Sequence, residues 1–355
     1  MRDDRFAVIG AGSGGLALAG HLSLQGADVC LYDRSSLRLD PIREHGGIQL
    51  TGVISGLAKL VSLSTNLGAV IRNSDVLCVV VPAHVHEDVA MACAPHLSDR
   101  HTVVLMPGRT GGALTFRHVL DQAEVTKHVQ IAETQTILHT CRAGKREGCV
   151  HVYAIKNCVP FAALPSTDSE SVGNVLSRWF PQFEAAPNVL HTSLGNVGAV
   201  LHPTPTLLNC GWLESPHTEY LHYYEGITPS IAALLEKIDD ERLAVASAFG
   251  IKVPSVLEWL KTAYGVSGSS LHEALQKTRA YAEISSPKML QHRYINEDVP
   301  TGLVPIASLG RSRCVATPYM DLIIDLAAAL CGADFRALGR NIELFDPVNT
   351  PDRST

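Results

Sequence analysis

A glycine pattern near residue 10 limits the fold of this chain more than any other feature of its sequence. Gly10, Gly12 and Gly15 are spaced as G-x-G-x-x-G, directly after the apolar stretch 6–9 and directly before a stretch with helical character. The first glycine permits a tight turn, the second lets a pyrophosphate approach bare backbone, and the third lets the helix pack closely on a sheet. Ser13 lies at the helix N-terminus, whose free N–H groups attract phosphates. The pattern predicts a dinucleotide site formed by Gly10, Gly12, Ser13 and Gly15.

The acidic residue after the second predicted strand bears on the choice of cofactor. Asp33 lies 18 residues after Gly15. An acid about 20 residues beyond the motif binds the ribose 2′-hydroxyl of NAD, and its charge repels the 2′-phosphate of NADP. Arg34, followed by Ser35 and Ser36, has the side-chain types that accommodate such a phosphate. Asp33 and Arg34 are both predicted to contact the cofactor, with NAD(H) favoured and NADP(H) left open.

Apolar runs alternate with helix-like stretches over the first half of the chain. The run 75–82 (DVLCVVVP) is apolar on both faces, as expected of a central strand covered by helices. This alternation predicts a Rossmann-type parallel sheet with right-handed crossovers. Strands are predicted over 6–9, 29–32, 76–81, 102–106 and 129–132, and helices over 16–24 and 86–96. A further strand–helix–strand unit is predicted over 150–155, 169–179 and 183–190.

The character of the sequence changes near residue 190. Strand-like runs disappear, and apolar residues recur at helical spacing over 227–249, 255–262, 271–282 and 319–330. The chain is therefore predicted to be an α/β protein, with a Rossmann domain over 1–190 followed by an all-helical substrate-binding and catalytic domain over 191–355. The length of 355 residues agrees with two domains.

Composition excludes several classes of partner. The formal net charge is −6 and no basic cluster is present, so a nucleic-acid partner is not expected. No apolar run approaches the roughly 20 residues of a membrane span, and the charged start of the chain does not resemble a signal peptide. Nine dispersed cysteines without a C-x-x-C pair predict buried thiols in the cytoplasm. His84 and His86 lack a third ligand nearby, so no metal is predicted.

Two segments of the second half carry candidate chemistry. His202 is followed by a proline just beyond the predicted domain boundary, and histidine is the side chain best suited to proton transfer near neutral pH. The same histidine could simply cap or pack a helix end. The stretch 291–305 is dense in charge and interrupted by Pro and Gly, which is also typical of a solvated loop between helices.

With these segments considered together, the chain resembles the octopine/nopaline (opine) dehydrogenase family. The match spans nearly the whole chain, and its most specific parts are His202-Pro203 and the Arg-Tyr…Glu-Asp-Val-Pro stretch that starts at Arg293. The matching stretches are the glycine motif, 106–112 (MPGRTGG), 132–135 (AETQ), 196–209, 293–305 and 316–335. The resemblance implies a Rossmann domain joined to a helical domain, and the reductive condensation of an α-amino acid with an α-keto acid to a secondary-amine dicarboxylate.

The resemblance also implies a His–Asp pair for proton transfer, at His202 and Asp298. Protonated His202 would polarise the keto oxygen or assist the loss of water from the carbinolamine, and Asp298 would fix the tautomer of the imidazole. The two groups are expected to meet across the gap between the domains.

Three further residues are predicted to bind substrate. Arg293 is the first choice and Arg109 the second for gripping the keto-acid carboxylate, because a guanidinium binds carboxylates in a bidentate fork. Glu133, at the end of a predicted strand, is expected to meet the amino acid. Each has a structural alternative: Arg109 could hold a turn, Glu133 could cap a helix, and Arg293 could pair only with Glu297.

Two other functions stay open at this level. A ketopantoate- or glycerol-3-phosphate-type reductase would use a similar build, but those enzymes rely on a catalytic lysine early in the helical domain, and this chain has no lysine between Lys156 and Lys237. A non-catalytic NAD-sensing protein would not need His202 and Asp298 together.

The expected partners are small molecules, namely an amino acid and an α-keto acid. Candidate residues for amine specificity, which the sequence does not rank, are Glu219, Tyr220, Tyr223 and Tyr224. The sequence does not define the oligomeric state, and a homodimer is one option.

Overall fold

The described part of the chain folds as two compact units. A computed structural model describes residues 4–144, 146–216 and 219–345. The first unit holds the residues up to Gly108 together with Thr115–Val189, and the second holds Arg109–Leu114 together with the residues from Leu190 onward. Arg109–Leu114, called the inserted segment below, thus belongs to the second unit although it lies within the chain of the first.

Two sheets form the framework of the first unit. Within the described residues, the larger sheet has eight strands in the order β12-β11-β8-β7-β6-β1-β2-β5, and only the β8–β11 pair is antiparallel. The smaller sheet has the order β4-β3-β10-β9. In chain order the strands are β1 (Arg5–Ile9), β2 (Asp28–Tyr32), β3 (Ile48–Gly52), β4 (Gly56–Ala58), β5 (Ser62–Ser64), β6 (Val76–Val79), β7 (Thr102–Leu105), β8 (Gln130–Thr134), β9 (His139–Ala143), β10 (Cys149–Ile155), β11 (Val159–Leu164) and β12 (Phe183–Ala185).

Helices connect the strands of the first unit and make up most of the second. In chain order they are α1 (Ser13–Leu24), α2 (Ser36–Glu44), α3 (Leu67–Arg72), α4 (His86–Cys93), α5 (Gly112–Gln122), α6 (Ser169–Trp179), α7 (Val189–Leu194), α8 (Gly198–Leu201), α9 (Pro203–Leu208), α10 (Cys210–Leu213), α11 (Pro229–Ala248), α12 (Val256–Tyr264), α13 (Leu271–Lys277), α14 (Arg293–Asn296), α15 (Val304–Ser312), α16 (Pro318–Cys331) and α17 (Phe335–Leu338). A π-helical turn, Val299–Leu303, joins α14 to α15.

Strand order and register define the edge of the larger sheet where a ligand would bind. β1 lies between β2 and β6, so the strand order reverses there. Ile9 pairs with Tyr32 on β2 and with Val79 on β6, which places the carboxyl ends of the three strands at one level. In open α/β sheets ligands bind outside the carboxyl ends of strands at such a switch point.

Helix α1 is packed between the two sheets of the first unit. It contacts β1 and β2 on one side and β3, β4, β9 and β10 on the other. Its sequence, SGGLALAGHLSL, is rich in small residues, and its residues from Gly15 to Gly20 are all buried. A Cβ atom on Gly20 would lie 2.5 Å from Cδ1 of Leu50 on β3. Small residues on both faces therefore let this helix pack against both sheets.

The structure confirms the α/β first half followed by a helical second half, with two differences in the strands. The predicted strand 150–155 is present as β10, but it belongs to the smaller sheet. The strand beside β8 is instead β11, which the sequence analysis missed and which contains Pro160, a residue depleted in strands. The predicted strand 183–190 ends at Ala185, and α7 begins at Val189.

Helix α11 organises the second unit through a buried arginine. Arg242 is fully buried and pairs with Asp239 one turn earlier. Its guanidinium also donates to the carbonyl oxygens of Leu194, at 2.6 Å, and Pro254, at 2.7 Å. Removing one partner of such a buried pair costs about 3–5 kcal/mol, because it leaves an uncompensated charge. The predicted helices over 227–249, 255–262, 271–282 and 319–330 correspond to α11, α12, α13 and α16.

Among the described residues, no helix is both long enough and apolar enough to span a membrane. The same residues hold no group of three or more His, Cys, Asp or Glu that could bind a metal ion. All nine cysteines lie in the described ranges, and no disulfide joins any of them; four are buried, four are partly buried and Cys314 is exposed, so the prediction of buried thiols is correct for only four.

Candidate active site

His202 and Asp298 are held at two junctions between helices of the second unit. His202 lies between α8 and α9, and Pro203 begins α9, where a proline is favoured because the first helical N–H has no partner. Asp298 lies between α14 and the π-helical turn. Both groups belong to the second unit, so the expectation that they meet across the gap between the domains is wrong.

The two side chains form a direct pair. Nδ1 of His202 lies 2.8 Å from Oδ2 of Asp298, whose side chain is fully buried, while that of His202 is 13% exposed. Nε2 of His202 lies 3.1 Å from the Tyr223 hydroxyl. The imidazole also stacks on the ring of Tyr294, with ring centres 4.2 Å apart. The imidazole is therefore held by contacts to both nitrogens and by stacking on one ring face.

The surroundings set the charge state of the pair. Burial lowers the pKa of His202, although Asp298 acts in the opposite direction. Burial alone would raise the pKa of Asp298, but Arg109 and His202 outweigh it and hold that pKa below its usual value. Asp298 is therefore a carboxylate, which can only accept, so Nδ1–H of His202 donates to it and Nε2 is left as the acceptor of a neutral imidazole.

Arg109, in the inserted segment, lies behind this pair. Its Nη1 is 3.1 Å from Oδ1 of Asp298, and its Nε donates to Oε1 of Glu297 at 3.1 Å. Burial opposes its charge, but the two carboxylates raise the pKa of Arg109 well above its ordinary value. The sequence analysis paired this guanidinium with a substrate carboxylate; the structure gives it two protein carboxylates instead.

The other two predicted substrate-binding residues differ in exposure. The Arg293 side chain is 41% exposed, contacts Glu297 at 3.7 Å and lies over the ring of Tyr294. Glu133 lies in β8 of the first unit and is fully buried. A Cβ atom on Gly108 would lie 2.4 Å from its Oε2. Glu133 therefore lies inside a strand next to Gly108, and it belongs to a different unit from Arg293.

The glycine loop has the local geometry that a dinucleotide requires. Gly10 has a φ of +112°, and a Cβ atom there would lie 2.5 Å from the carbonyl oxygen of Val80. A Cβ atom on Gly15 would lie 1.8 Å from the carbonyl oxygen of Gly10, whereas one on Gly12 would meet no atom within 4 Å. Among the described side chains, none caps the N-terminus of α1, where Ser13 is the first helical residue. The loop is thus closed toward the sheet and open at Gly12, which fits a pyrophosphate.

Asp33 also has a structural role that the sequence analysis missed. Its Oδ2 accepts from the backbone N–H of Ala11 at 2.8 Å, and its Oδ1 accepts from that of Ser35 at 3.0 Å. Arg38 lies 3.6 Å from the same carboxylate, and Arg34 is exposed. Asp33 thus ties the end of β2 to the glycine loop.

Sequence reasoning also did not connect several residues to the pair. In the sequence analysis, Tyr223 is only an unranked candidate for amine specificity, and Tyr294 is included only as part of the Arg-Tyr…Glu-Asp-Val-Pro stretch. Glu297 was considered only as a partner of Arg293. Its i,i+4 spacing from Arg293 on one helical turn was a usable signal, but no local pattern links Tyr223 to His202.

Comparison with known proteins identifies the family. The chain is 44% identical over 343 residues to an opine dehydrogenase of Arthrobacter sp. (strain 1C), covering 95% of this chain and 94% of that one. The chain belongs to the opine dehydrogenase family. It is therefore an NAD(P)-dependent oxidoreductase that acts on CH–NH donors, by the reductive condensation of an amino acid with a keto acid. NAD(H) is the favoured cofactor, with NADP(H) as the alternative.

Both halves of this opine dehydrogenase family member match family models. Residues 185–331 match the α-helical domain of NAD/NADP octopine/nopaline dehydrogenase, and residues 5–128 match the N-terminus of NAD-dependent glycerol-3-phosphate dehydrogenase. The helical half thus favours the opine family over the glycerol-3-phosphate-type alternative.

Solved structures show the same fold. An octopine dehydrogenase solved with NADH and L-arginine has a TM-score of 0.74 at 21% identity, covering 97% of this chain and 96% of that one. A yersinopine dehydrogenase solved with NADP+ has a TM-score of 0.71 at 17% identity, covering 98% and 93%.

Proposed function

We propose that His202 and Asp298 are the proton-transfer pair of the reductive condensation in this chain. The observation that carries the proposal is the 2.8 Å contact between Nδ1 of His202 and the buried carboxylate of Asp298. This contact leaves Nε2 as the reactive nitrogen, and it stabilises the imidazolium that forms when Nε2 takes a proton.

A neutral His202 can begin the reaction as a base. Its Nε2 removes a proton from the α-ammonium group of the amino acid, and the free amine adds to the keto carbon to give a carbinolamine. The imidazolium then returns this proton to the departing hydroxyl, which leaves as water while the C–N double bond forms. Bound at the glycine loop, NAD(P)H would supply the hydride that reduces this carbon. The products are a secondary amine and water, and the imidazole is neutral again.

We propose Arg293 as the cation that binds the keto-acid carboxylate, in preference to Arg109, whose guanidinium already contacts Glu297 and Asp298. Arg293 is well exposed, and its contact to Glu297 is long, at 3.7 Å. Its guanidinium can therefore donate two parallel N–H groups to an incoming carboxylate. Glu133 stays the predicted partner of the amine. Its position one residue before the end of β8 supports this, because ligands bind at the carboxyl ends of such strands.

We propose that the cofactor is bound by Gly10, Gly12, Ser13, Gly15 and Asp33. The open position at Gly12 and the uncapped start of α1 support the phosphate contacts. Asp33 supports a preference for NAD(H), since its carboxylate would repel a 2′-phosphate. For NADP(H), Arg34 is the proposed contact to the 2′-phosphate.

Two finer expectations accompany this function. The absence of disulfides among the nine cysteines supports a cytoplasmic location. A homodimer is the expected alternative to a monomer, and sedimentation of the purified protein distinguishes them.

A substrate screen tests the function. Amino acids are combined with pyruvate, glyoxylate or 2-oxoglutarate, and the absorbance of NADH is followed. We expect oxidation only when an amino acid and a keto acid are both present. Oxidation with a keto acid alone, unaffected by any amine, would favour a ketone reductase of the ketopantoate type.

A further inference from the structure

We propose that Arg109 is a positioning residue that orients Asp298 toward His202, and that it does not bind substrate. The inference rests on the proposed roles of His202 and Asp298. It concerns the one predicted substrate-binding residue whose guanidinium is enclosed within the second unit.

The two oxygens of the Asp298 carboxylate face different groups. Oδ2 accepts from His202 at 2.8 Å, whereas Oδ1 lies 3.1 Å from Nη1 of Arg109 in an ion pair that does not have hydrogen-bond geometry. The Nε of Arg109 is held in turn by Glu297 at 3.1 Å. Because rotation of the carboxylate would break the hydrogen bond to His202 or move Oδ1 away from the charge of Arg109, Oδ2 stays directed at the imidazole.

Burial separates the two candidate arginines. The exposed fractions of Arg109, Glu297 and Asp298 are 6%, 2% and 0%. An incoming carboxylate would have to displace one of two buried carboxylates, each of which would then be left uncompensated. Arg293, at 41% exposed, needs no such exchange.

The backbone of the inserted segment holds Arg109 in place. Arg109 has a φ of +59°, in the left-handed region that non-glycine residues adopt rarely. The next residue, Thr110, donates its N–H to the carbonyl oxygen of Thr301 at 3.0 Å and its hydroxyl to that of Ser193 at 3.1 Å. Its carbonyl oxygen accepts from Arg340 at 2.7 Å. The unusual conformation is therefore supported on several sides, which is typical of a functional constraint.

A glycine leaves space for the guanidinium. A Cβ atom on Gly198, the first residue of α8, would lie 2.2 Å from Nη1 of Arg109 and 3.2 Å from Oδ1 of Asp298. An alanine at position 198 would force the guanidinium away from Asp298 while keeping its charge.

The charge of Arg109 also acts on the proton affinity of the pair. The charged and titratable groups around the imidazole are Asp298, Glu297, Arg109, Arg293, Tyr223, Tyr294 and His222. A buried cation lowers the proton affinity of every group that it faces, and Arg109 lowers the pKa of both Asp298 and His202. Removing it must raise both apparent pKa values of the coupled pair.

Two substitutions separate charge from geometry. Arg109→Gln removes the charge. Arg109→Lys keeps the charge but replaces the planar guanidinium, which contacts Glu297 and Asp298 through two different nitrogens, with a single ammonium group. We expect both to lower kcat by about 10- to 100-fold, as loss of an orienting partner does. We expect Arg109→Gln to move the acidic limb of the pH profile of kcat to higher pH, because that limb reports protonation of the imidazole that starts the reaction, and Arg109→Lys to leave it in place. The assay is NADH oxidation with saturating amino acid and keto acid.

Gly198→Ala tests the contact between Arg109 and Asp298 without replacing Arg109. We expect it to lower kcat as Arg109→Lys does, with little change in the KM for the keto acid. If Arg109→Gln fails to fold, as thermal unfolding would reveal, Arg109→Lys and Gly198→Ala decide the question through kcat. A kcat near that of the natural protein in both would overturn the proposal. So would a KM for the keto acid raised at least about tenfold with an unmoved pH profile, since that is the signature of lost substrate binding.

Arg293→Gln is the matched comparison for substrate binding. The proposed function predicts that it raises the KM for the keto acid; if it raises the KM for NADH instead, Arg293 binds the cofactor. That result would change the proposed function and leave the role of Arg109 intact. If the natural protein oxidises NADH with a keto acid alone, the proposed function fails, and the Arg109 variants can still be compared in that reaction.

Discussion

At the scale of single residues, the proposed proton transfer by His202 uses Nε2, whose contact to the neutral Tyr223 hydroxyl a substrate ammonium group can replace. Asp298 binds Nδ1, and Tyr294 covers one ring face. Burial lowers the pKa of the imidazole, so at neutral pH it starts as a base. In the proposed mechanism, the carboxylate of Asp298 then stabilises the charge that the imidazole gains when Nε2 takes a proton.

We predict that His202→Ala lowers kcat at least about 100-fold, because a positioned acid–base group contributes about 10²–10⁴ to the rate. The binding of NADH, measured by its fluorescence, should be unchanged. His128→Ala is the control, since that histidine is 71% exposed and lies in the first unit. A His202 variant with a rate close to that of the natural protein would remove this residue from the mechanism.

At the scale of elements, α1 combines two tasks that require small residues. Its body packs between two sheets, and small residues alternate there with buried leucines. Its N-terminus must let phosphates approach backbone N–H groups. Gly10 and Gly15 therefore lie against protein backbone, whereas Gly12 faces open space.

We predict that Gly15→Ala lowers the stability of the fold, whereas Gly12→Ala weakens the binding of NADH. Gly15→Ala places Cβ 1.8 Å from a backbone carbonyl oxygen that cannot move easily, so the free energy of unfolding should fall by about 1–3 kcal/mol or more. Gly12→Ala meets no atom within 4 Å, so stability should change by less than about 0.5 kcal/mol. Its dissociation constant for NADH should nevertheless rise, because Cβ enters the path of the pyrophosphate. Urea unfolding and NADH titration measure the two effects; equal stabilities of the two variants would contradict this assignment.

At the scale of the whole molecule, the chain passes between its two units three times. It leaves the first unit at Gly108, forms the inserted segment in the second, and returns at Thr115, before the final crossing at Leu190. Arg109 is the first residue of that segment and the one that binds Asp298. The residue behind the proposed proton-transfer pair therefore follows the end of β7 in the larger sheet by only four residues.

We predict that NADH raises the midpoint of thermal unfolding more than NADPH does at equal concentration. Ligand that binds only the folded state stabilises it, and each tenfold difference in affinity is worth about 1.4 kcal/mol at saturation. Asp33→Ala should reduce or reverse the difference between the two cofactors. Comparing the cofactors within each variant removes the direct cost of losing the bond from Ala11 N–H to Asp33. A larger shift with NADPH in the unaltered protein would point to Arg34 as a phosphate contact.

The sequence alone determined the features that local patterns encode. The glycine spacing predicted the loop before α1, apolar runs predicted β1, β2, β6, β7 and β8, and helical spacing predicted α11 and α16, because each depends on residues close together in the chain. Resemblance to a family directed attention to His202 and Asp298. Only the tertiary structure decided the smaller sheet, the antiparallel pairing of β11 with β8, and the partners of Arg109. Arg109 and Glu297 are 188 residues apart, and the space that Gly198 leaves for the guanidinium exists only when distant segments pack together, so no local pattern could reveal it.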